Sequence, residues 1–589
     1  MEENPMENWR RVLGRLLGLL PVAYLTFSCA NSTMPHSSKS RSHSVKAKSR
    51  SSSRAPGGPR SRKPPRYDFE GASKEKYVAR ARFKPHAKPT ARNERRAPAV
   101  DLHMVVRSAM EENGFDTEPS FIADAKANTL NEITVEKMGA TMQDMRELLW
   151  SSIDNYDPMN VDQIEYCERG QGGEILVKVA IADVDAFVPK DSILDIHARG
   201  HTLTVHTGIE TYPMLPENVS GYLASFPYER DRLALVVEFA VLPRGNIRPG
   251  KIYRAVVRNR ADLAYAEVGA WLDDKGPWPE ILEEVPGLEE QLRLQDEASI
   301  RLSKYRAEQG ARELEGKVGK ANAKMRESRA MKNGKVPGLY VHEKDRAKRI
   351  IENFMICANE VMSGFLEGAN VPTIHKVVIV PKYWNEIADV AKAKGFELPY
   401  EPDANMLSEF LEKVKRTDPE GFPALSLRIV RLMGSGEYVM FDRRNPAEYF
   451  CRAVTSYTYG TEPNKRYVDL VLQRLVKAAV AHIATPYSKD ELAEIAELCT
   501  DREMAARQVE KFVTKAKAAV QLEGKIGKTF DAVITDVSKR GAYAKLVDPP
   551  VQGMVTRNGE NLQAGQKVKV RLIGLEPEKG YVDLEIIGE

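Results

Sequence analysis

Cysteine is scarce in this sequence: five in 589 residues (Cys29, Cys167, Cys357, Cys451 and Cys499), with no C-x-x-C spacing. That excludes a disulfide framework and a zinc site built on paired thiolates, and it suits a reducing compartment. From Met34 to about Ala99 aliphatic side chains are almost missing, so this stretch cannot bury enough apolar surface to order itself. Acids are scarce there as well: Met34 to Val100 carries 19 Lys/Arg against 4 Asp/Glu, a net +15 inside a chain whose total is +4. Met1 to Thr33 is balanced at 3 and 3, which leaves −11 for the body from Asp101 onward. The N-terminus also lacks an unbroken apolar run. Val12 to Phe27 follows Arg10-Arg11 in the manner of a secretory signal, yet Arg15 and Pro21 interrupt it and three acids precede the arginines. Three readings stay open: an exported chain, an upstream extension with translation starting at Met34, and an organelle transit peptide. The last rests on Ser37 to Arg66, which is rich in Ser and Arg and poor in acids. No stable membrane association is expected.

What is present is an ordinary mix, 42% hydrophobic and 29% charged, in a chain long enough for several domains. Residues 1–33 read as the signal-like or upstream extension and 34–99 as a disordered basic arm. As a polybasic tail the arm adds salt-sensitive attraction to nucleic acid, or it is a solvated linker. Residues 100–149 hold short amphipathic helical patterns, too little for a pair of β-barrels. Ser151 to Leu242 alternates strands and turns, and Gly250 to Ala261 reads as another strand. Glu283 to Arg312 is helical, and Lys317 to Lys335 is a basic, Gly-containing loop. Glu343 to Gly368 is a long helix with the stripe Ile350, Ile351, Phe354, Met355, Ala358 and Met362. Helices continue to Ala484, and residues 486–523 form a helical connector. From Gly524 the period changes to two, in F-D-A-V-I-T-D-V, A-Y-A-K-L-V and K-V-K-V-R-L-I, broken by glycine turns. Several short strands in residues 524–589 indicate a small closed barrel of OB type. The fold class is α+β.

The segment richest in chemistry is S-S-I-D-N-Y-D-P-M-N-V-D-Q-I-E, Ser151 to Glu165. It lies between M-R-E-L-L-W (Met145 to Trp150), whose spacing predicts helix, and the strand-like Glu174 to Ile181. A loop offering Asp154, Asp157, Asp162 and Glu165 between packed elements needs a positive partner, and oxygen-rich clusters are how proteins hold Mg²⁺. The plainer alternative is a set of Asx turns with solvated acids. Two amides, Asn160 and Gln163, stand among the acids.

Several ordered blocks make the stretch from about Trp150 to Ala484 resemble the catalytic (RNB) domain of the RNase II/RNase R family of exoribonucleases. They are S-I-D-x₅-N-V-D-Q (Ser152 to Gln163), V-A-I-A-D-V (Val179 to Val184), P-M-L-P-E (Pro213 to Glu217), I-E-N-F-M-I-C-A-N (Ile351 to Asn359), L-R-I-V-R-L-M (Leu427 to Met433) and Y-T-Y-G-T-E-P-N-K-R-Y-V-D-L-V-L-Q-R (Tyr457 to Arg474). Residues 150–485 are assigned to that domain on this resemblance. The last segment resembles the RNA-binding OB domain named after the largest protein of the small ribosomal subunit. The cold-shock barrels of longer members are absent, as in a shorter bacterial branch.

The resemblance implies 3′→5′ hydrolysis of single-stranded RNA to 5′-monophosphates, with metal ions at the scissile phosphate and cations on its oxygens. It implies Mg²⁺ as cofactor, no small-molecule cofactor, RNA as partner, a monomer and a cytoplasmic location. Asp154, Asn160, Asp162 and Gln163 fall where the family has four aspartates, with Asp154, Asp162 and Asn160 as the metal ligands. Lys465 and Arg466 fall where it has two arginines, and Glu462 replaces a small residue. Pro463 is expected to open a helix with Lys465 and Arg466 in its first turn, where phosphate is favoured. Glu352 matches a family acid, and Asn359 lies seven residues along the same helix face. Asp183 either orients the acidic loop or caps a turn. The family's aromatic clamp falls at Thr204, and Tyr212 is the substitute on offer. In the barrel Phe530 and Tyr543 are candidates to stack bases. Lys545, Lys567, Lys569 and Arg571 are candidates to meet phosphate, the last three sharing one strand face. An RNA-binding pseudoenzyme is the competing reading.

Overall fold

A computed structural model describes residues 100–132, 142–155, 160–308, 346–378, 381–418, 422–434, 436–442, 451–452, 458–538, 541–563 and 565–588. The basic arm, the Lys317–Lys335 loop and Asp157 fall outside these residues. Two capped helices come first. In α1 (Leu102–Glu112) the Asp101 side chain accepts from His103 N, and in α2 (Phe121–Ala127) Ser120 accepts from Ala123 N. The next segment corrects the sequence reading: β1 (Gln143–Asp144) is followed by a turn, and Trp150 begins β2 (Trp150–Asp154). The helical spacing of Met145 to Trp150 is overridden by tertiary burial. The Trp150 ring is completely buried, and its Nε1 donates to Met145 O at 2.8 Å.

β3 (Gln163–Arg169) and β4 (Ile175–Ala182) follow, then α3 (Ile193–His201), which the strand-and-turn reading did not foresee. After the small hairpin β5 (Val205–His206) and β6 (Thr211–Tyr212) come β7 (Asp231–Val241) and β8 (Ile247–Ala264). The main sheet runs β1-β8-β2-β3-β4-β7, and β7 pairs again with β8, so five strands close on themselves. β4 and β7 are runs of Val, Ile, Leu and Ala buried on both faces, which removes the alternation that a half-exposed strand would carry.

Helices α4 (Tyr265–Leu272), α5 (Leu288–Glu308) and α6 (Arg346–Gly368) pack on this sheet. α6 buries Ile350, Ile351, Phe354, Ala358 and Met362 of the stripe expected from its period, and Met355 is partly buried against the same core. β9 (Thr373–Val378) pairs with β10 (Glu437–Phe441) and β11 (Cys451–Arg452). Between β9 and β10, helices α7 (Trp384–Ala393), α8 (Ala404–Thr417) and α9 (Phe422–Met433) form a separate core around Trp384, Phe410 and Ile429. α10 (Tyr467–Val480) lies in the main core. α11 (Lys489–Val520) opens with a capping box of Ser488 and Glu491 and packs against α1, β9 and β10 before reaching the C-terminal domain. That domain is a closed barrel, β12 (Thr529–Ser538), β13 (Gly541–Leu546), β14 (Gln552–Arg557), β15 (Lys567–Glu576) and β16 (Tyr581–Gly588), in the order β12-β13-β14-β16-β15. Among the described residues no helix is long and apolar enough to cross a membrane, and Cys167, Cys357 and Cys499 are buried and form no disulfide.

α10 is fixed to the end of β4 by buried charge. Arg474 donates to Asp185 (2.8 Å), Asp195 (2.8 Å) and Tyr487 (2.6 Å), and Lys477 donates to Asp183 (2.6 Å) and Asp185 (2.7 Å). Arg254 pairs with Asp183 from β8 at 2.8 Å. Asp183 therefore neither caps its turn nor reaches the acidic loop; it anchors two cations. Arg474→Met leaves the buried Asp195 carboxylate without its cation and is expected to cost about 3–5 kcal/mol. Denaturant unfolding measures the loss, and adding Asp195→Asn should restore part of it.

Candidate active site

The acidic segment and the Thr461–Tyr467 block meet at one point. Asp162 is 1% exposed and precedes β3 directly. Its backbone is held by Ala182 N donating to Asp162 O at 3.0 Å, while Val161 N donates to Ser225 Oγ at 2.9 Å. Asn464, 302 residues later in the chain, donates through Nδ2 to Asp162 Oδ1 at 3.0 Å and to Ala224 O at 2.5 Å. The Lys465 ammonium is paired with Asp162 Oδ2, and beyond that ion pair Oδ2 has no hydrogen-bond partner. Burial pushes the Asp162 carboxyl up, and Lys465 pulls against it. Asn464 was missed from sequence. An amide beside a basic residue gives no metal or nucleophile signal by itself.

The remaining members of the acidic set sit differently from one another. Asp154 ends β2 half-buried, and its Oδ1 accepts from Asn155 N at 2.8 Å. Asn160 turns the chain with φ +82°, a conformation in which Asn is among the better-tolerated side chains. Gln163 is the half-buried first residue of β3. Glu165 corrects the sequence reading, because it is fully buried opposite Ser151 and Val179 with neither carboxyl oxygen hydrogen-bonded. Burial first, and the Asp154 charge second, push it well above the usual carboxylate range, which favours the neutral form of this core acid.

The start of α10 is a second correction. Helix begins at Tyr467, not at Pro463, and Arg466 is an extended N-cap in a β-bridge with Leu203. Thr204 N donates to Lys465 O at 2.8 Å and Tyr467 N to Thr202 O at 2.7 Å, and these bonds hold the backbone extended. Gly460 approaches α10 and α6 so closely that a Cβ there would strike Leu472 and Met362, and its N–H donates to Asn359 Oδ1 at 2.8 Å. Asn359 is thereby a backbone anchor. Glu352 is half-buried on α6 and engaged within the structure.

Arg466 is framed on three sides. Its guanidinium donates to both oxygens of Asp469 (3.0 and 2.7 Å), lies 3.3 Å from Glu462, and stacks over Tyr459 at 4.6 Å. Behind Tyr459, Lys376 donates to both Glu503 oxygens at 2.6 Å and lies over the Tyr438 ring. Burial would push the Glu503 carboxyl up, but Lys376 and Arg507 outweigh it and hold the group at about 2. Thr204 offers no ring, and its Oγ1 accepts from Met214 N at 3.0 Å. Tyr212 is no substitute clamp. It is buried in a side core with Val106 and Val509, donates to Glu210 at 3.1 Å, and is pushed up to about 12 by burial.

In the barrel, Ala532 and Ile534 of β12 face inward, and Phe530, half-buried, packs against the same core. Tyr543 is half-buried on the outer face beside exposed Lys545. Lys567, Lys569 and Arg571 are all exposed on β15, and Val533 of β12 pairs with both Lys567 and Lys545. These lysines flank one strand and share an outer surface. Arg571 is partly engaged by Glu585 at 3.3 Å.

The donor set of the acidic segment is all oxygen, as a hard dication requires. Asp154, Asn160 and Asp162 supply two carboxylates and one amide, and Asp162 Oδ2 is a buried oxygen satisfied only by a cation. Among the described residues no three His, Cys, Asp or Glu side chains come together as a metal cluster. These donor types suit a hard divalent ion.

Residues 142–482 match the family described as RNB domain, and residues 528–587 match the RNase II-type exonuclease C-terminal S1 domain. Ribonuclease R of Escherichia coli (strain K12) is 27% identical over 497 residues, covering 78% of this chain and 59% of that protein. Ribonuclease R of Aquifex aeolicus is 27% identical over 475 residues, covering 76% of this chain and 65% of that protein. The chain thus spans less than two thirds of the length of these relatives. Mycoplasma genitalium RNase R, solved with ribose methylated single-stranded RNA, shares the fold with a TM-score of 0.63 at 21% identity, covering 83% of this chain and 78% of that one.

Two outcomes are expected from this geometry. Asn464→Ala leaves Asp162 Oδ1 and Ala224 O without their donor and should lower stability by about 1–3 kcal/mol in thermal or denaturant unfolding. Glu503, held at about 2 against an ordinary 4.5, contributes stability that is present above pH 4.5 and lost as pH falls toward 2. Glu503→Gln should therefore melt earlier than the wild type at neutral pH, with the gap narrowing below pH 4.5.

Proposed function

The chain belongs to the RNB-domain family, matched over residues 142–482, and from that premise we propose that it hydrolyses single-stranded RNA from the 3′ end to 5′-monophosphates. The observation that carries this reading is the convergence of Asp162 with Asn464 and Lys465, which brings a carboxylate of the acidic segment and the basic block to one point. Asp154, Asn160 and Asp162 would hold Mg²⁺, which supplies activation of water and charge neutralisation at the scissile phosphate. Lys465 and Arg466 present fixed positive charge beside that point. Arg466 is pre-aligned by Asp469, Glu462 and Tyr459, so little reorganisation is needed as charge develops on the phosphate oxygens. Asn464 keeps Asp162 in place, and Gln163 and Glu352 complete the polar surroundings.

RNA is delivered by the C-terminal barrel, with Tyr543 offering a stacking surface and Lys545, Lys567, Lys569 and Arg571 following the backbone. Phe530 contributes through the barrel core. The basic arm 34–99 adds sequence-blind attraction, ahead of a lead-in (100–149), the catalytic domain (150–485), the connector (486–523) and the barrel (524–589). The protein works as a cytoplasmic monomer without a small-molecule cofactor. A second reading, an RNA-binding pseudoenzyme, is favoured by one observation: the Lys465 ammonium is paired with the Asp162 carboxylate.

Purified full-length protein with end-labelled single-stranded RNA and Mg²⁺ separates the two. Progressive shortening that disappears in Asp162→Ala supports the nuclease. Tight binding of RNA that stays intact sinks it, and recovery of cleavage in Asn160→Asp with Lys465→Arg then identifies the changes responsible.

A further inference from the structure

Asp162 and Lys465 form a pair with unusual isolation for a cation centre. The Asp162 side chain is 1% exposed and that of Lys465 15%, so water screens their attraction poorly. The lysine backbone is fixed at both ends, since Lys465 N donates to Glu462 O at 2.9 Å and Lys465 O accepts from Thr204 N at 2.8 Å. The ammonium leaves this fixed backbone toward Asp162, with the Glu462 carboxylate 4.0 Å away on its other side. Glu462, which stands where the family has a small residue, is a shared counterion of Lys465 and Arg466. Asn464 adds a hydrogen bond to the other Asp162 oxygen, so that Oδ2 is left for a cation alone.

The charge count agrees with a site altered as a whole. Asn160 and Gln163 are neutral amides and Glu165 is buried in the core, so Asp154 and Asp162 carry the acidity at the mouth of the described loop.

We propose that the Lys465 ammonium is a resident cation of this centre, seated on Asp162 in competition with a divalent ion. Each divalent ion that uses Asp162 must first displace the lysine, so metal affinity is set by the tether as well as by the oxygen ligands. The same displacement frees the ammonium to meet a phosphate. The proposal rests on reading the loop as the cation centre of a nuclease, and it concerns metal binding rather than turnover.

Mn²⁺ titration of the full-length chain, followed by the electron paramagnetic resonance signal of free Mn²⁺ and without RNA, tests it. Lys465→Met and Lys465→Gln should each tighten Mn²⁺ binding by about tenfold, with circular dichroism confirming the fold. Lys465→Arg keeps a tethered cation and should stay near the wild-type isotherm. Isotherms for Met and Gln that superimpose on the wild type overturn the proposal, as does a wild type that binds two Mn²⁺ tightly. If Met and Gln both fail to fold, the Arg variant and the wild-type stoichiometry decide: tight binding of two ions by either overturns it. RNA shortening assayed in parallel keeps the two claims apart. Cleavage with unchanged Mn²⁺ isotherms defeats the proposal and leaves the nuclease standing, while tightened Mn²⁺ binding with intact RNA does the reverse.

Discussion

The site depends on how α10 is docked. Its start must reach the acidic segment while its remaining turns lie against β4, and buried charge fixes that placement. Arg474 and Lys477 are one turn apart on the helix and take up Asp183, Asp185 and Asp195 at the end of β4 and in α3. Gln473 adds a donor to Ala182 O at 2.8 Å. Ion pairs of this kind contribute little net stability compared with a well-packed apolar contact, yet they are costly to leave half-made. They therefore select one register. A helix shifted by a residue would bury unpaired acids, so the place of Lys465 and Arg466 follows from the far half of α10.

The same docking explains which parts of the fold were legible in the sequence. The α6 stripe, the strand at β4 and the period-2 barrel strands depend on local repetition, and each lies where its pattern placed it. Met145 to Trp150 has helical spacing, but Trp150 gains more from burial under the sheet than its neighbours gain from a helical turn. Pro463 carries a genuine helix-start signal, overridden by backbone bonds to Thr202 and Thr204, whose partnership no local pattern reveals. Glu165 gave a quieter hint. It stands two residues before Cys167 in a strand, so both share a face, and that face is the core. Tyr212 failed as a clamp for a similar reason, its ring completing a core shared with α1 and α11.

The acidic segment has become a mixed set in which each residue has a distinct physical state. Asp154 is half-buried, Asp162 is sealed and ion-paired, Asn160 supplies a dipole at a positive-φ turn, and Glu165 is pushed toward its neutral form. Neighbouring carboxylates rarely all stay ionised without cations between them. Here the charge has been lowered by amide substitution and by a basic side chain from another part of the chain. The substitutions at 160, 163 and 465 belong together for that reason. Taken singly each weakens a metal site; taken together they lower the negative charge of the junction.

α11 is a continuous helix of 32 residues, about 48 Å long at 1.5 Å per residue. It joins the body near β10 at one end, and its last turn enters the barrel core through Ala519, with Leu522 just beyond. A rod of this kind links sequence length to orientation. Adding or removing one residue within it would rotate everything beyond by about 100°, turning the lysine-bearing face of the barrel to another side of the body. Point changes along α11 can be absorbed, whereas its length is a fixed angular setting between the two halves of the molecule.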